Sequence, residues 1–182
     1  MPGILNISLD FELHWGRFDK MHLDASGRRY FNNTRAMFPQ MVELFVQHQI
    51  HVTWAIVGML YHRNASEWRQ HVPELLPSYA DDRYSAYRWV EMHGLAEPED
   101  PYHFAPDLIE LVEPVPFFEI GTHTYSHYYC KEAGQTASQF KQDLQLAMQV
   151  AATRGHQPRS LVFPRNQFNA DYLSVCAEMG IT

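Results

Sequence analysis

The stretch VPFFEIGTHTYSH, residues 115–127, is a short apolar run that leads into two histidines four positions apart. The run predicts a strand that begins at about Val115. Parallel α/β proteins place their ligand sites just beyond the carboxyl ends of the strands, which is where His123 and His127 fall. Their spacing would put both imidazoles on one side of a single helical turn, so the two rings could share one ion.

Upstream of this stretch the pattern predicts strand, helix and strand in succession. Residues 4–13 alternate between apolar and polar side chains, which indicates a strand. A helix follows with Asn33 or Thr34 as its N-cap, and Pro39 is expected in an early turn of that helix. A β-branched and aromatic run then opens a second strand at His51.

Downstream, the same alternation continues. Thr136 and Gln139 form a capping-box pattern for a helix that ends at Gly155, and residues 160–164, SLVFP, predict a fourth strand. A last helix is predicted from about Ala170 to Gly180.

This order predicts one α/β domain over residues 1–182, a partial or distorted (β/α) barrel with mostly parallel strands. A closed parallel barrel needs about eight strands, so four strands suggest an incomplete domain. Residues 58–116 form a long aromatic-rich excursion. Its rings either stack against sugar or fill a subsidiary core, and the sequence leaves both open for Trp68, Tyr84, Tyr87 and Trp89.

Composition narrows the class of protein and its partners. The net charge of -7 disfavours nucleic acid and anionic membrane surfaces, because these partners require clustered cations. No apolar run approaches the roughly 18 residues that a membrane span needs, and Cys130 and Cys176 form no CxxC pattern. We therefore expect a cytoplasmic protein, and the oligomeric state is left open.

Two carboxylates at the end of the first strand could complete a metal site. Asp10 and Glu12 share one face of that strand, so parallel strands would bring them to the same rim as the histidines. Two histidines and one carboxylate are a recurring ligand set for catalytic zinc. Taken alone, a pair of carboxylates at a strand end is more often simply solvated. Arg165, at the end of the fourth strand, adds a third polar group at the rim.

The motifs ISLDFE (residues 7–12), GTHTYSH (121–127) and VFPRNQF (162–168) together resemble those of the polysaccharide deacetylase family, carbohydrate esterase family four or the NodB homology domain. The resemblance implies His123 and His127 as metal ligands. It also implies Asp10 as general base and Glu12 as ligand, although the D-x-E order departs from the family's adjacent aspartates and the two roles could be exchanged. Arg165 would orient and tune Asp10, while the family's general acid has no counterpart before Thr182.

The function implied by the resemblance is a metal-dependent hydrolase that deacetylates an N-acetylated sugar or polysaccharide. Zinc is the first choice of metal, and cobalt, nickel or iron suit the same ligands. His14, Trp15 and Tyr128 are further candidates for lining the substrate pocket. Two alternatives stay open: a hydrolase of small non-peptide C–N amide bonds, and a non-catalytic glycan-binding domain of the same fold.

Overall fold

A three-stranded parallel sheet lies at the centre of the protein, whose computed structural model describes Gly3 and residues 5–182. The strands are β1 (Ser8–Phe11), β2 (Val52–Ile56) and β3 (Phe118–Thr122), and β2 lies between the other two. All five residues of β2 are buried, as expected for a parallel strand that is covered on both faces. Parallel pairing brings the carboxyl ends of β1 and β3 to one rim of the sheet.

The outer segments of the predicted sheet are shorter than expected. The strand predicted over residues 4–13 is ordered as a strand only in β1; Leu5 is exposed, and Ile4 lies outside the described residues. The predicted fourth strand is reduced to one parallel bridge between Leu161 and Thr122. Its position and direction were correct, but Pro164 begins a 3₁₀ turn that ends the extended backbone.

The first helix, α1 (Ala25–Gln47), begins earlier than predicted. Asp24 is its N-cap and accepts a hydrogen bond from the Gly27 amide at 2.9 Å, so the prediction of Asn33 or Thr34 as the cap is wrong. Pro39 consequently lies in the helix interior and not in an early turn. The helix packs on the sheet through the buried Phe38 and Val42 and the partly buried Met41 and Phe45.

The excursion of residues 58–116 contains three short helices, α2 (Ala65–Arg69), α3 (Ala86–His93) and α4 (Pro106–Val112). Trp68 and Tyr87 stack with ring centroids 6.1 Å apart, and both side chains belong to the main hydrophobic core. The core-filling alternative is therefore correct for these two rings. The excursion is a packed part of the domain.

The remaining helices follow β3. The helix α5 (Ala137–Ala152) begins with the predicted capping box between Thr136 and Gln139. The last predicted helix is split into a 3₁₀ turn at Ala170–Tyr172 and α6 (Leu173–Glu178). These elements enclose a second, smaller core. None of the helices in the described part of the chain is both long enough and apolar enough to cross a bilayer.

Candidate metal centre

The rim at the carboxyl ends of β1 and β3 brings together the predicted ligands. Glu12 follows β1 directly, and His123 follows β3 directly. The His123 amide donates to the carbonyl of Ile56, the last residue of β2, at 2.9 Å. This bond attaches the start of the histidine turn, residues 123–127, to the central strand. The common rim that the sequence predicted is therefore present.

The Glu12 carboxylate lies between the two imidazoles. Its Oε2 is 3.0 Å from Nε2 of His127 and 3.3 Å from Nε2 of His123. Both histidine side chains are buried, whereas the Glu12 side chain is 26% exposed, so the cluster opens to solvent only on the carboxylate side. The three ligand atoms lie within 4.8 Å of one another. Two ligands about 2.0–2.1 Å from a tetrahedral zinc ion would be roughly 3.3 Å apart, which matches these separations.

Hydrogen bonding determines which nitrogen of His123 faces the cluster with a lone pair. Its Nδ1 donates to the Val162 carbonyl at 2.8 Å, because a carbonyl can only accept. In the neutral ring, Nε2 therefore carries no hydrogen and points a lone pair toward the Glu12 carboxylate. Among the described residues, this buried Nε2 has no hydrogen-bond partner. Two lone-pair groups that face each other at this distance repel unless a proton or a metal cation lies between them, and the donor set fits a divalent metal.

The charge states of these groups suit the same conclusion. Burial by itself raises the pKa of Glu12, but hydrogen bonds and positive charge from the two imidazoles, when these are protonated, outweigh burial and lower that pKa to about 2. Burial lowers the pKa of His127, and the nearby Glu12 offsets only part of this effect. At neutral pH the cluster therefore offers one carboxylate and a neutral His127, and metal ligands must be deprotonated in this way.

The two histidines are joined by a turn that is not helical. Thr124 and His127 have positive φ values of 64° and 57°, so the predicted single helical turn is wrong. The backbone instead reverses tightly between them, which brings the ring centroids to 5.1 Å. Left-handed residues of this kind persist where surrounding contacts hold them.

Asp143 of α5 holds that turn from inside the protein. Its buried carboxylate accepts from the amide of Tyr125 at 2.7 Å and from the amide and hydroxyl of Ser126. Burial raises the pKa of Asp143 to about 6, although these donors favour its ionised form. Asp143 was not among the predicted site residues; its place on the apolar side of a predicted helix was the available signal.

Gly16 makes room for the Glu12 carboxylate. A Cβ atom at this position would lie 1.9 Å from Cδ and 2.0 Å from Oε1 of Glu12. Gly16 ends the 3₁₀ turn Leu13–Gly16, and the Glu12 side chain folds back over it. Only glycine therefore permits this position of the carboxylate.

Asp10 lies at the open side of the cluster. Its Oδ2 is 4.0 Å from Nε2 of His123, and its side chain is 48% exposed. It is not among the three residues whose ligand atoms converge. This placement agrees with Glu12 as the ligand and leaves Asp10 free to act on solvent beside the cluster.

Arg165 pairs with a different carboxylate from the one predicted. Its guanidinium forms a salt bridge with Asp19, whose side chain is only 4% exposed, and it lies 5.0 Å above the Tyr129 ring. The expected pairing with Asp10 is therefore wrong. Asp19 was not predicted, because nothing in the local pattern of residues 16–20 distinguishes it from a solvated loop carboxylate.

The three side chains expected to line the pocket point into the protein. His14, Trp15 and Tyr128 are all 0% exposed. Both ring nitrogens of His14 and the indole nitrogen of Trp15 are bonded within the protein, and the Tyr128 hydroxyl contacts Gln135 and Thr136. With no exposed surface and their polar atoms occupied, these residues are structural, and the prediction that they contact substrate is not retained.

Comparison with known proteins places the chain in a family and identifies structures with a similar fold. The family model described as polysaccharide deacetylase matches residues 18–182. A CE4 family pseudoenzyme from Bacillus anthracis superposes with a TM-score of 0.53 at 11% identity, covering 97% of this chain and 40% of that chain. A mutant of the same pseudoenzyme with restored enzymatic activity gives 0.53 at 12% identity, covering 97% and 42%.

A family 4 carbohydrate esterase from Streptomyces lividans, in complex with acetate, gives a TM-score of 0.52 at 14% identity, covering 99% of this chain and 60% of that chain. The chain thus spans about half the length of these structures. At such identities the likeness establishes a shared fold. No curated protein matches the chain.

Proposed function

The chain belongs to the polysaccharide deacetylase family, and from that premise we propose that it is a metal-dependent hydrolase that deacetylates an N-acetylated sugar or polysaccharide. The observation that carries the proposal is that the ligand atoms of Glu12, His123 and His127 converge. At the same place, the buried Nε2 of His123 has no hydrogen-bond partner among the described residues.

Glu12, His123 and His127 would hold the metal, with zinc as the first choice and cobalt, nickel or iron as alternatives for the same ligands. When bound, such an ion supplies a Lewis acid that polarises an amide carbonyl and lowers the pKa of water. Val162 orients His123 by accepting its Nδ1 hydrogen, and Asp143 holds the turn that carries both rings. These contacts fix the ligand nitrogens before any substrate arrives.

Asp10 is the proposed general base. It is ionisable, half-exposed and 4.0 Å from the ligand nitrogen of His123, so it can accept a proton from water at the open side of the cluster. Arg165 is proposed as a positioning residue, because its guanidinium links Asp19 with the 3₁₀ turn through a 3.5 Å contact to the Gly16 carbonyl. It would thereby hold the turn over which Glu12 folds.

One alternative has a specific observation in its favour. A structural neighbour is a CE4 family pseudoenzyme, so this fold also exists without activity, and a non-catalytic glycan-binding domain is our second candidate. Hydrolysis of small non-peptide C–N amides uses the same residues and differs only in substrate.

Metal content provides the first test. We expect the purified chain to bind about one equivalent of Zn²⁺ in isothermal titration calorimetry. The His123→Ala and His127→Ala variants should lose this binding, while His48→Ala, which alters an exposed histidine at the end of α1, should retain it. Stoichiometric binding that survives both ligand substitutions would refute the proposed site.

Acetate release then separates the candidates. The chain with bound Zn²⁺ should release acetate from a chitooligosaccharide. Asp10→Asn should abolish this release while metal binding persists. If Asp10→Asn loses the metal instead, the roles of Asp10 and Glu12 are exchanged. Release from small acetamides alone would support the small-amide alternative. Glycan binding without release from either substrate would support the non-catalytic domain.

A further inference from the structure

A buried chain of hydrogen bonds runs between the excursion and the turn that follows the first strand. Asp100 Oδ2 lies 2.8 Å from Nδ1 of His103, and Nε2 of His103 lies 2.7 Å from Nδ1 of His14. Nε2 of His14 lies 2.8 Å from the Met21 carbonyl. The Asp100, His103 and His14 side chains are almost completely buried, and the proposed reaction uses none of them.

The chain of hydrogen bonds has a fixed direction. The Met21 carbonyl can only accept, so Nε2 of His14 donates to it and Nδ1 of the neutral ring accepts. Nε2 of His103 must therefore donate to His14, and Nδ1 of His103 donates to the Asp100 carboxylate, which can only accept, so both ring nitrogens of His103 carry a hydrogen. The amides of Ala96 and Tyr102 also donate to Asp100, which anchors the far end. Every side-chain nitrogen and oxygen of this network thus has a hydrogen-bond partner inside the protein.

This hydrogen-bond network ends on the 3₁₀ turn next to Glu12, the proposed metal ligand. His14 lies in the 3₁₀ turn that starts after Glu12 and ends at Gly16. The same turn donates two further hydrogen bonds to the excursion: the His14 amide donates to the Tyr102 carbonyl at 3.2 Å, and the Trp15 indole donates to the His103 carbonyl at 2.8 Å. The turn begins with Leu13 at a φ of 44°, a left-handed conformation that needs outside support.

We propose that His103, anchored by Asp100, is a positioning residue for Glu12, and that it holds the carboxylate in place through His14 and the 3₁₀ turn. The proposal rests on the proposed metal-binding function and gives part of the excursion a role in it. Residues 100–103 contact the 3₁₀ turn through His14, while the Glu12 carboxylate packs against Gly16 of the same turn.

Three variants separate positioning from general stability. His103→Phe removes both side-chain hydrogen bonds, and a neighbouring cavity of about 420 Å³ gives the larger ring space to adjust. His103→Gln keeps a donor near the position of Nε2 and so can preserve the bond to His14. Leu108→Ala in α4 truncates a buried side chain outside the hydrogen-bonded chain and serves as a control for destabilisation.

The readouts are Co²⁺ affinity, the visible d–d spectrum of bound Co²⁺, and the thermal midpoint of the metal-free protein. His103→Phe should weaken Co²⁺ binding about ten-fold, the lower end of the effect of outer-shell groups, and should change the spectrum. His103→Gln should stay within about three-fold of the unaltered chain and keep its spectrum. Leu108→Ala should lower the thermal midpoint and leave Co²⁺ affinity within about two-fold.

The proposal is overturned if His103→Phe binds Co²⁺ with unaltered affinity and spectrum, or if Leu108→Ala, at an equal loss of thermal midpoint, weakens binding as much. Failure of the proposed function looks different. In that case the unaltered chain shows no d–d bands that depend on His123, and both proposals fall together.

Discussion

The close approach of Glu12 to Gly16 makes Gly16→Ala the sharpest test of the metal centre. The added methyl carbon would lie 1.9 Å from Cδ of Glu12, whereas ordinary contact begins at 3.4 Å, so the carboxylate carbon must move by about 1.5 Å. Metal sites hold their ligand distances within about 0.2 Å. A displacement of this size therefore takes Glu12 out of reach of an ion held by the two histidines.

The expected loss can be bounded. Changes to groups outside the ligand shell cost about 10- to 100-fold in metal affinity, so displacing a ligand should cost at least about 100-fold, or about 2.7 kcal/mol. The fold itself should persist, because Gly16 has no positive φ and alanine tolerates its backbone conformation. We expect a folded protein that has lost tight Zn²⁺ binding.

Calorimetric titration with Zn²⁺ and far-ultraviolet circular dichroism together check this result. Gly27→Ala is the matched control, since its methyl carbon would lie 2.0 Å from the His22 carbonyl oxygen and does not meet Glu12. That variant should be less stable yet bind Zn²⁺ normally once folded. If Gly16→Ala binds Zn²⁺ as tightly as the unaltered chain, Glu12 is not held against Gly16 as described.

Two further predictions concern the groups around the site. Arg165→Ala leaves the buried Asp19 carboxylate unpaired and should lower the free energy of unfolding by about 3 kcal/mol in urea denaturation. Adding Asp19→Asn should recover part of the loss, and a double variant no more stable than the single one would contradict the pairing. Burial raises the pKa of Asp143 from 3.8 to about 6, so the folded state binds a proton more tightly than the unfolded state, and the stability of the metal-free protein should fall by about 2 kcal/mol as pH rises from 4 to 6. Asp143→Asn should flatten this slope in unfolding titrations at pH 4.5, 6 and 7.5; an unchanged slope would assign it to other groups.

The sequence predicts the sheet and the ligand cluster well, for a physical reason. Strand ends are marked by a change from apolar to polar residues, and parallel strands bring such ends to one rim. Glu12, His123 and His127 lie within a residue or a single turn of a strand end, so local pattern and topology suffice to bring them together. The conformation of the histidine turn was not predictable, because i, i+4 spacing suits both a helix and a tight left-handed reversal.

What the sequence does not predict depends on side-chain direction and on distant partners. His14 follows the acidic pair and suggested a pocket residue, but the 3₁₀ turn rotates it inward toward His103, 89 positions away. For a similar reason, Arg165 forms its salt bridge with Asp19 and not with Asp10, because the pairing depends on how two loops pack against each other. Periodicity reports burial along one element and carries no information on which distant polar group completes a hydrogen bond.

The histidine turn also bears on whether the protein folds before or after it binds a metal ion. Its backbone amides are satisfied by side chains of the protein itself: those of residues 124, 125, 126, 128 and 129 donate to Thr122, Asp143, Asp143, Thr124 and Tyr79. In small zinc domains the ion organises the chain, and removing it unfolds them. Here protein groups already satisfy these amides, so we expect the turn to form without the ion and a cation to bind a preformed site. Chelation should then remove the cation without unfolding the protein.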